Sequence, residues 1–183
     1  MRIYTRAGDD GTTGLYFGGR VRKDDVSIEL NGAVDEAQAA IGLARSSAPR
    51  GGELDELLIS VERDLWVLMS EVATAPANRR KLVAEKSLVT EAMVTRLELA
   101  IDGLSDRTEK LKEFVVPGDD HVAAGLDVAR TVVRRAERCS LGWHADGSVV
   151  PVYLNRLSDL LWAAARWHEG HVHRTTKGME GAP

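Results

Sequence analysis

Four arginines in one predicted helix are the residues of this chain best suited to chemistry. At helical spacing Arg130, Arg134 and Arg138 fall one turn apart, and Arg135 lies beside them. The opposite face is predicted to be apolar: Val128, Ala129, Val132, Val133 and Ala136. Stacked guanidinium groups repel one another, so they require water, carboxylate partners or a polyanion. The helix alone leaves two interpretations open, a solvated face with Glu137 as a counter-ion or an anion site.

The stretch from Thr5 to Gly14 has the composition of an anion-binding loop. It reads Thr-Arg-Ala-Gly-Asp-Asp-Gly-Thr-Thr-Gly, and its glycines allow successive N–H groups to converge on an anion. Arg6 and Lys23 add positive charge, while Asp9 and Asp10 could orient the loop or hold water ligands of Mg²⁺. The glycine-lysine-serine/threonine ending of a Walker loop is missing. A flexible terminus of the same composition remains an alternative.

A third polar segment lies in the last predicted helix, over residues 153–159. Asn155, Arg156, Ser158 and Asp159 stand there beside leucines. Such a density of polar side chains indicates a hydrogen-bond network at a helix–helix contact. That network could serve structural specificity or a ligand, and the sequence favours neither.

The remaining reactive residues match no recognised catalytic pattern. His168, His171 and His173 lack the H-E-x-x-H spacing and fit a solvated tail. Cys139, the single cysteine, fits helix packing better than nucleophilic chemistry. Because no zinc spacing, dinucleotide fingerprint or Ser-His-Asp context is present either, no protein-bound metal is predicted. Chemistry based on positioning and charge neutralisation therefore fits better than proton transfer.

Bulk properties indicate one soluble globular domain. The chain has 183 residues, 44% hydrophobic and 28% charged, and a net charge of −4. That charge gives no overall footprint for nucleic acid or an anionic membrane, so an anion site must be local. No signal peptide and no bilayer-spanning apolar run are visible. We therefore expect a cytoplasmic protein whose partners include neither nucleic acid nor membrane.

Hydrophobic periodicity predicts an all-α fold in which five helices position these segments. The expected helices are Ile28–Arg45, Glu53–Thr74 ended by Pro76, one capped by Thr90, the arginine helix capped by Asp119 or Asp120 and running to about Leu141, and Val150 to about His168. A polar connection is expected over 77–88, and no strand competes convincingly. The predicted single domain comprises an extended arm over 1–25, a bundle over 26–169 and a flexible tail over 170–183.

Taken together, three segments resemble the signature segments of the ATP:cob(I)alamin adenosyltransferases of the propanediol-utilisation type. They are Thr5–Thr13, Ala129–Arg138 and Tyr153–Asp159, in the order and spacing of that family. Two further stretches are similar to family segments: Val34–Glu36 with Gly42–Arg45, and Phe114–Gly118. The resemblance covers the chain from about Arg2 to Trp167.

The resemblance implies a five-helix bundle that assembles as a homotrimer, with active sites between subunits. It implies transfer of the 5′-deoxyadenosyl group of ATP, bound with Mg²⁺, to the cobalt of cob(I)alamin, giving adenosylcobalamin and triphosphate. Cobalt(I) is already a strong nucleophile, so the protein must mainly align C5′ with cobalt and neutralise the triphosphate. A reductase and an adenosylcobalamin-dependent enzyme are the implied protein partners.

The resemblance also implies a role for individual residues. Phosphate contacts fall on the arm: Thr5, Arg6, Ala7, Gly8, Thr13 and Lys23. Further nucleotide contacts fall on the last two helices: Arg134, Arg135, Glu137, Arg138 and Asn155. Arg134 is the expected charge-stabilising residue. Asp35 and Arg130 are expected to pair across the subunit interface, and Phe114 to press on the corrin and keep the lower cobalt ligand off.

Several positions depart from the family pattern. Gly14 stands where serine is common, and Asn31 and Gln38 stand where tyrosine and asparagine are usual. Asp119 and Asp120 follow Pro-Gly where another glycine is usual, and could cap the helix or alter the corrin contact. Two alternatives therefore stay open beside the enzyme. One is a non-catalytic trimeric nucleotide- or corrinoid-binding module of the same fold, and the other is a purely structural bundle.

Overall fold

Five long helices account for most of the fold. The computed structural model describes residues 4–111, 113–171 and 174–176. Its helices are α1 (Val26–Ser46), α2 (Glu53–Val72), α3 (Glu91–Ser105), α4 (His121–Ser140) and α5 (Val150–Glu169). The prediction of a mostly helical bundle is confirmed. No helix in this described part is both long and apolar enough to cross a membrane.

Side-chain caps fix where three of the helices begin. The carboxylate of Asp25 accepts from the backbone N–H of Ser27 at 2.9 Å at the start of α1. Thr90 caps α3, as predicted. Asp120 caps α4 through the backbone N–H of Ala123 at 2.8 Å. Capping oxygens satisfy N–H groups that have no partner inside a helix. The choice left open between Asp119 and Asp120 is therefore decided in favour of Asp120.

The bundle is built around α1 and α4, which pack closely against each other. A Cβ atom added at Gly125 would lie 3.0 Å from Cα of Ala44, near the end of α1. A Cβ atom added at Gly142, just after α4, would lie 3.3 Å from Cγ2 of Val26. The two helices therefore run antiparallel. The arm, which leads into α1, joins the bundle beside the end of α4.

On its inner face α4 presents small and branched apolar residues, but not all those predicted. Ala129, Val133 and Ala136 are fully buried. Val128, which the periodicity placed on the buried face, is 56% exposed. The buried residues of α4 recur every three to four positions, and Val128 falls outside that stripe. That part of the prediction is wrong.

The structure also contains short strands and a 3₁₀ helix that the sequence did not predict. The strands are β1 (Thr12–Gly14), β2 (Arg20–Arg22), β3 (Val115–Val116) and β4 (Arg174–Thr175), paired antiparallel as β1–β2 and β3–β4. The 3₁₀ helix spans Pro76–Lys81, within the predicted polar connection. Strands of two or three residues are too short to show a period-two pattern in a sequence.

Part of the tail predicted over 170–183 is described. Its residues 174–175 form β4, and His171 lies 3.0 Å from Glu109. His173 and the other residues at 172–173 and 177–183 lie outside the described residues. Within the described ranges, no group of three metal-binding side chains occurs.

Candidate active site

The N-terminal arm is an ordered hairpin rather than a plain extended segment. β1 and β2 pair so that Thr12 faces Arg22 and Gly14 faces Arg20. Arg6 adopts a positive φ of 62°, which turns the chain ahead of the hairpin. The arm is fastened to the bundle because the backbone N–H of Tyr16 donates to the carbonyl oxygen of Ala73 at 2.9 Å.

Arg20 organises the loop between Thr5 and β1, a role that the sequence analysis missed. Its Nη2 donates to the carbonyl oxygen of Ala7 at 2.5 Å and to the hydroxyl of Thr12 at 2.6 Å. Asp10 accepts from both the hydroxyl and the backbone N–H of Thr12, and these bonds lower the pKa of that carboxyl. The sequence contains no usable signal for this role, because it depends on Arg20 facing Gly14 across the hairpin, and that register is visible only in the structure.

Lys23 lies against Gly8 in the loop that the sequence analysis predicts to bind an anion. A Cβ atom added at Gly8 would sit 3.3 Å from Nζ of Lys23 and 3.1 Å from the carbonyl oxygen of Thr12. The backbone N–H of Lys23 also donates to the carbonyl oxygen of Gly11 at 2.9 Å. The structure therefore brings an exposed ammonium group onto the glycine loop at Gly8.

On α4, Arg134 presents an exposed guanidinium group. The other three arginines have partners: Arg130 pairs with Asp127 at 3.4 Å, Arg135 pairs with Glu36, and Arg138 donates to the backbone oxygen of Arg134 at 2.9 Å. Among the described residues, none forms a hydrogen bond or ion pair with the guanidinium of Arg134. Because the neighbouring arginines are already engaged, Arg134 is the one most available to an external anion.

Glu137 and Asn155 join α4 to α5 in a polar network. The side-chain amide of Asn155 donates to Oε1 of Glu137 at 2.8 Å and accepts from Nη1 of Arg156 at 2.8 Å. Arg156 pairs in turn with Glu98 on α3 at 2.9 Å, and this bond raises the pKa of Arg156. The polar patch predicted over 153–159 is thus a network between helices. It fixes Asn155 beside the arginines of α4, Arg130, Arg134, Arg135 and Arg138, which we call the arginine stripe.

A cavity of about 550 Å³ opens between the segment 111–117 and the facing sides of α4 and α5. Its apolar lining residues are Leu111, Phe114, Val115, Pro117 and Trp162, and its charged ones are Glu113, Asp127, Arg130 and Arg166. Phe114 is 84% exposed, so its ring stands at the mouth rather than in the core. A volume of this size is in the range of small-molecule sites.

Charged groups at the base of this cavity neutralise one another. Arg166 is only 3% exposed and contacts Asp127 at 2.7 Å and Glu169 at 2.9 Å. Asp127 also contacts Arg130 at 3.4 Å. A buried charge is tolerated when it is paired in this way. The sequence analysis assigned no role to Asp127 and Arg166. The available signal was that residues 127 and 130, and 166 and 169, have opposite charges three positions apart, a spacing at which helical side chains can pair.

The predicted site residues do not form one cluster within the subunit, and even the arginines of α4 are spread along the helix. Arg130 lines the cavity and Arg138 lies eight residues further along α4, a distance of about 12 Å. The arm reaches the bundle at the same end as Arg138. No hydrogen bond or ion pair in the described ranges joins the arm to Arg134, Arg135 or Arg138, or Asp35 to Arg130.

Comparison with known proteins identifies the family. The sequence profile of cobalamin adenosyltransferases matches residues 3–168. The chain belongs to the cobalamin adenosyltransferase family. It is 39% identical over 174 residues to a corrinoid adenosyltransferase of Citrobacter freundii, covering 92% of this chain and 95% of that one. It is 40% identical over 170 residues to the corrinoid adenosyltransferase of Mycobacterium tuberculosis H37Rv, covering 90% and 87%.

Solved structures agree with this assignment. A variant of the PduO-type ATP:corrinoid adenosyltransferase from Lactobacillus reuteri, complexed with cobalamin and ATP, superposes with a TM-score of 0.81 at 30% identity. The match covers 91% of this chain and 90% of that one. The resemblance noted in the sequence is confirmed, and the arm, arginine helix and cavity are therefore features of a cobalamin adenosyltransferase fold.

Two of the positions that depart from the family pattern lie on α1 with buried acceptors. Oδ1 of Asn31 and Oε1 of Gln38 are buried, and no hydrogen-bond partner contacts them among the described residues. They stand seven residues apart, two turns along the same face of the helix. Gly14 has open space around it, so the structure would accommodate a serine side chain there, and crowding does not explain the glycine.

Proposed function

We infer that the protein is an ATP:cob(I)alamin adenosyltransferase. It transfers the 5′-deoxyadenosyl group of ATP to the cobalt of cob(I)alamin, giving adenosylcobalamin and triphosphate. One observation carries the proposed mechanism. The guanidinium of Arg134 has no partner among residues 4–111, 113–171 and 174–176, and it stands on α4 about one turn from Arg130, which lines the cavity. An anion held by Arg134 therefore lies close to a ligand held in the cavity.

The nucleotide half of the proposed site consists of the arm together with the arginine stripe. Backbone N–H groups of the glycine loop, with Thr5, Arg6, Ala7, Gly8, Thr13 and Lys23, bind the phosphates of MgATP. Arg134, Arg135, Glu137, Arg138 and Asn155 complete the contacts. Arg134 neutralises the charge that develops on the departing triphosphate, because preorganised donors stabilise such charge more than water does. Cobalt(I) supplies the electron pair, so no protein base is required.

The corrin half of the proposed site is the cavity at Phe114. Its apolar rim suits the face of a large macrocycle, and its paired charges suit the polar groups at the edge of one. Phe114 presses on the corrin and excludes the lower ligand. A cobalt ion with fewer donors is easier to reduce, which favours formation of cobalt(I).

The assembly we propose is a homotrimer with active sites between subunits. In the part of one subunit that the structure describes, the arm and Arg134 share no hydrogen bond or ion pair, and a neighbouring copy can bring them together. Asp35 is exposed, and Arg130 reaches only Asp127 at 3.4 Å within the described residues. These two residues are therefore available to pair across an interface. The proposal includes a cytoplasmic location, a reductase that supplies cob(I)alamin and an enzyme that uses the product.

An anaerobic assay tests this function against the binding-module alternative. Cob(I)alamin is mixed with MgATP and the purified protein, and adenosylcobalamin is measured by its absorption spectrum. A parallel thermal melt with MgATP measures binding; a ligand at a hundredfold excess over its Kd stabilises a protein by about 2.7 kcal/mol. Product formation with a raised melting temperature supports the enzyme. A raised melting temperature without product indicates a binding module. If no product forms and the melting temperature does not rise, the protein is a structural bundle.

A further inference from the structure

The strand β4 holds the segment that carries Phe114. β4 pairs with β3, so that Thr175 faces Val115. The backbone N–H of Thr176 donates to the carbonyl oxygen of Phe114 at 2.9 Å. The hydroxyl of Thr175 donates to Oε2 of Glu113 at 2.7 Å. Hydrogen bonds therefore fall on the backbone of Phe114 and on the side chain of Glu113, while Val115 on the other side is paired with Thr175 in the strand register.

Arg174 and Asp119 anchor β4 to the start of α4. Nε and Nη2 of Arg174 both donate to Oδ1 of Asp119, at 2.8 and 2.5 Å. The backbone N–H of Arg174 donates to Oδ2 of the same carboxylate at 2.8 Å. The Asp119 side chain is 13% exposed, and its contact raises the pKa of Arg174. Charge-assisted bonds of this kind are among the stronger ones in proteins.

This arrangement gives Asp119 a task separate from that of its neighbour. Asp120 caps α4, whereas Asp119 turns its carboxylate to β4. Two carboxylates that replace the usual glycine thus act on two different elements. Because Phe114 is so exposed, its ring has little packing to hold it, and the strand bonds are what fix the backbone beneath it.

We propose that Asp119 and Arg174 are positioning residues for Phe114. By anchoring β4, they hold the Phe114 segment at the mouth of the cavity before cobalamin binds. A segment ordered in advance loses less conformational entropy on binding, so the anchored form places the ring on the corrin at lower cost. This inference rests on the proposed function, in which Phe114 excludes the lower cobalt ligand.

Loosening the anchor affects the corrin step and leaves the nucleotide step intact. The arm and Arg134 share no bond with β4 among the described residues. We therefore expect Asp119→Asn and Arg174→Ala to lower the fraction of four-coordinate cob(II)alamin and the cob(II)alamin-dependent kcat by about five- to tenfold. The Kd for MgATP stays within about twofold. Arg174→Lys, which keeps the charge but not the fork, gives an intermediate loss.

The experiment compares these variants with a matched control. Glu53→Gln removes the carboxylate of another surface pair, Glu53–Arg107, which joins the start of α2 to the end of α3 and does not line the cavity. Each protein is mixed with MgATP and cob(II)alamin, and the cobalt(II) absorption spectrum is recorded. A chemical one-electron reductant, which converts cob(II)alamin to cob(I)alamin, is then added to measure kcat and KM, and the Kd for MgATP is measured separately. Amide hydrogen exchange in residues 113–116 reports whether the segment has loosened.

The outcomes separate this inference from the proposed function. If the anchor variants exchange faster at 113–116 and lose four-coordinate cobalt(II) while Glu53→Gln keeps it, the positioning role holds. The double variant should then lose no more than the worse single variant, because both changes break one interaction. Wild-type spectra in both anchor variants overturn the inference. If the wild type itself forms neither the four-coordinate species nor product, the proposed function has failed instead.

Discussion

At the scale of single residues, the proposed chemistry depends on groups that the protein's own structure leaves available. Arg134 has no partner for its guanidinium among the described residues, while Arg135 is engaged by Glu36, which raises the pKa of Arg135. Phe114 stands in water at the cavity mouth. An exposed guanidinium is solvated by water and a single exposed ring is common, so the indication of a ligand comes from where these groups stand: Arg134 one turn from a cavity residue, and Phe114 at the cavity mouth.

Phe114→Ala is expected to act on the corrin and not on ATP. Since the ring is 84% exposed, its removal opens no core cavity, and the thermal stability of the protein should change little. We expect loss of the four-coordinate cobalt(II) spectrum and a large fall in cob(II)alamin-dependent activity, with MgATP affinity unchanged. Absorption spectroscopy and calorimetric titration with MgATP measure both. If ATP binding and stability fall together while the four-coordinate species still forms, Phe114 is a packing residue.

At the scale of elements, the long helices were predictable and the short segments were not. The α3 cap at Thr90 and the bounds of α2 and α5 agree with the sequence to within two residues, because apolar residues recur over many turns. The hairpin β1–β2 was described as an extended arm. Its order comes from Arg20, whose bonds to Ala7 and Thr12 depend on a strand register that no local pattern encodes.

The candidate site likewise contains residues that the sequence could assign and residues that it could not. Residues of the arm and of α4 could be assigned through the resemblance because they lie in continuous motifs. The cluster of Asp127, Arg166 and Glu169 could not, because it forms only when α4 and α5 pack together. The tail pairing of Arg174 with Asp119 spans 55 positions of the chain and likewise has no local signal.

The start of α2 should contribute a pH-dependent part of the stability. The backbone N–H of Gly51 and the guanidinium of Arg45 both bond to Asp55 and lower its pKa, Gly51 being the larger cause. A carboxyl group with a lowered pKa in the folded state stabilises the fold above its unfolded pKa, near 3.8, and that stability is lost as pH falls through the folded pKa. Asp55→Asn should therefore destabilise the protein more at pH 7 than at low pH.

Urea unfolding of the wild type and Asp55→Asn at a series of pH values between about 2 and 7 measures this difference. Glu53→Gln is not a suitable control here, because Arg107 lowers the pKa of Glu53 as well. Leu43→Ala, a change at an exposed apolar residue without a charge, provides one instead. A gap between wild type and Asp55→Asn that stays constant as the pH falls would show that the bonds to Asp55 do not depend on its charge.

At the scale of the whole molecule, the separation of arm and arginine stripe within one subunit is the reason to expect an assembly. We expect light scattering to give the mass of a trimer for the wild type. Asp35→Asn should weaken it, because breaking a desolvated ion pair costs up to about 3–5 kcal/mol, and among the described residues Arg130 would keep only its contact with Asp127 at 3.4 Å. Asp24→Asn is the matched control, because the pair of Asp24 with Arg22 lies on the surface. A monomeric wild type refutes the assembly, and a trimer unaffected by Asp35→Asn refutes the pair.

The central claim is that Arg134 neutralises the departing triphosphate while the cavity holds cob(I)alamin. The most direct measurement is a single-turnover anaerobic assay of adenosylcobalamin formation at saturating MgATP, for wild type and Arg134→Ala. Loss of one preorganised charged donor slows such a step by a hundred- to thousandfold, about 3–4 kcal/mol. We predict a loss of that size in the rate, with the same assembly and melting temperature as the wild type. A variant that forms product at nearly the wild-type rate would contradict the account.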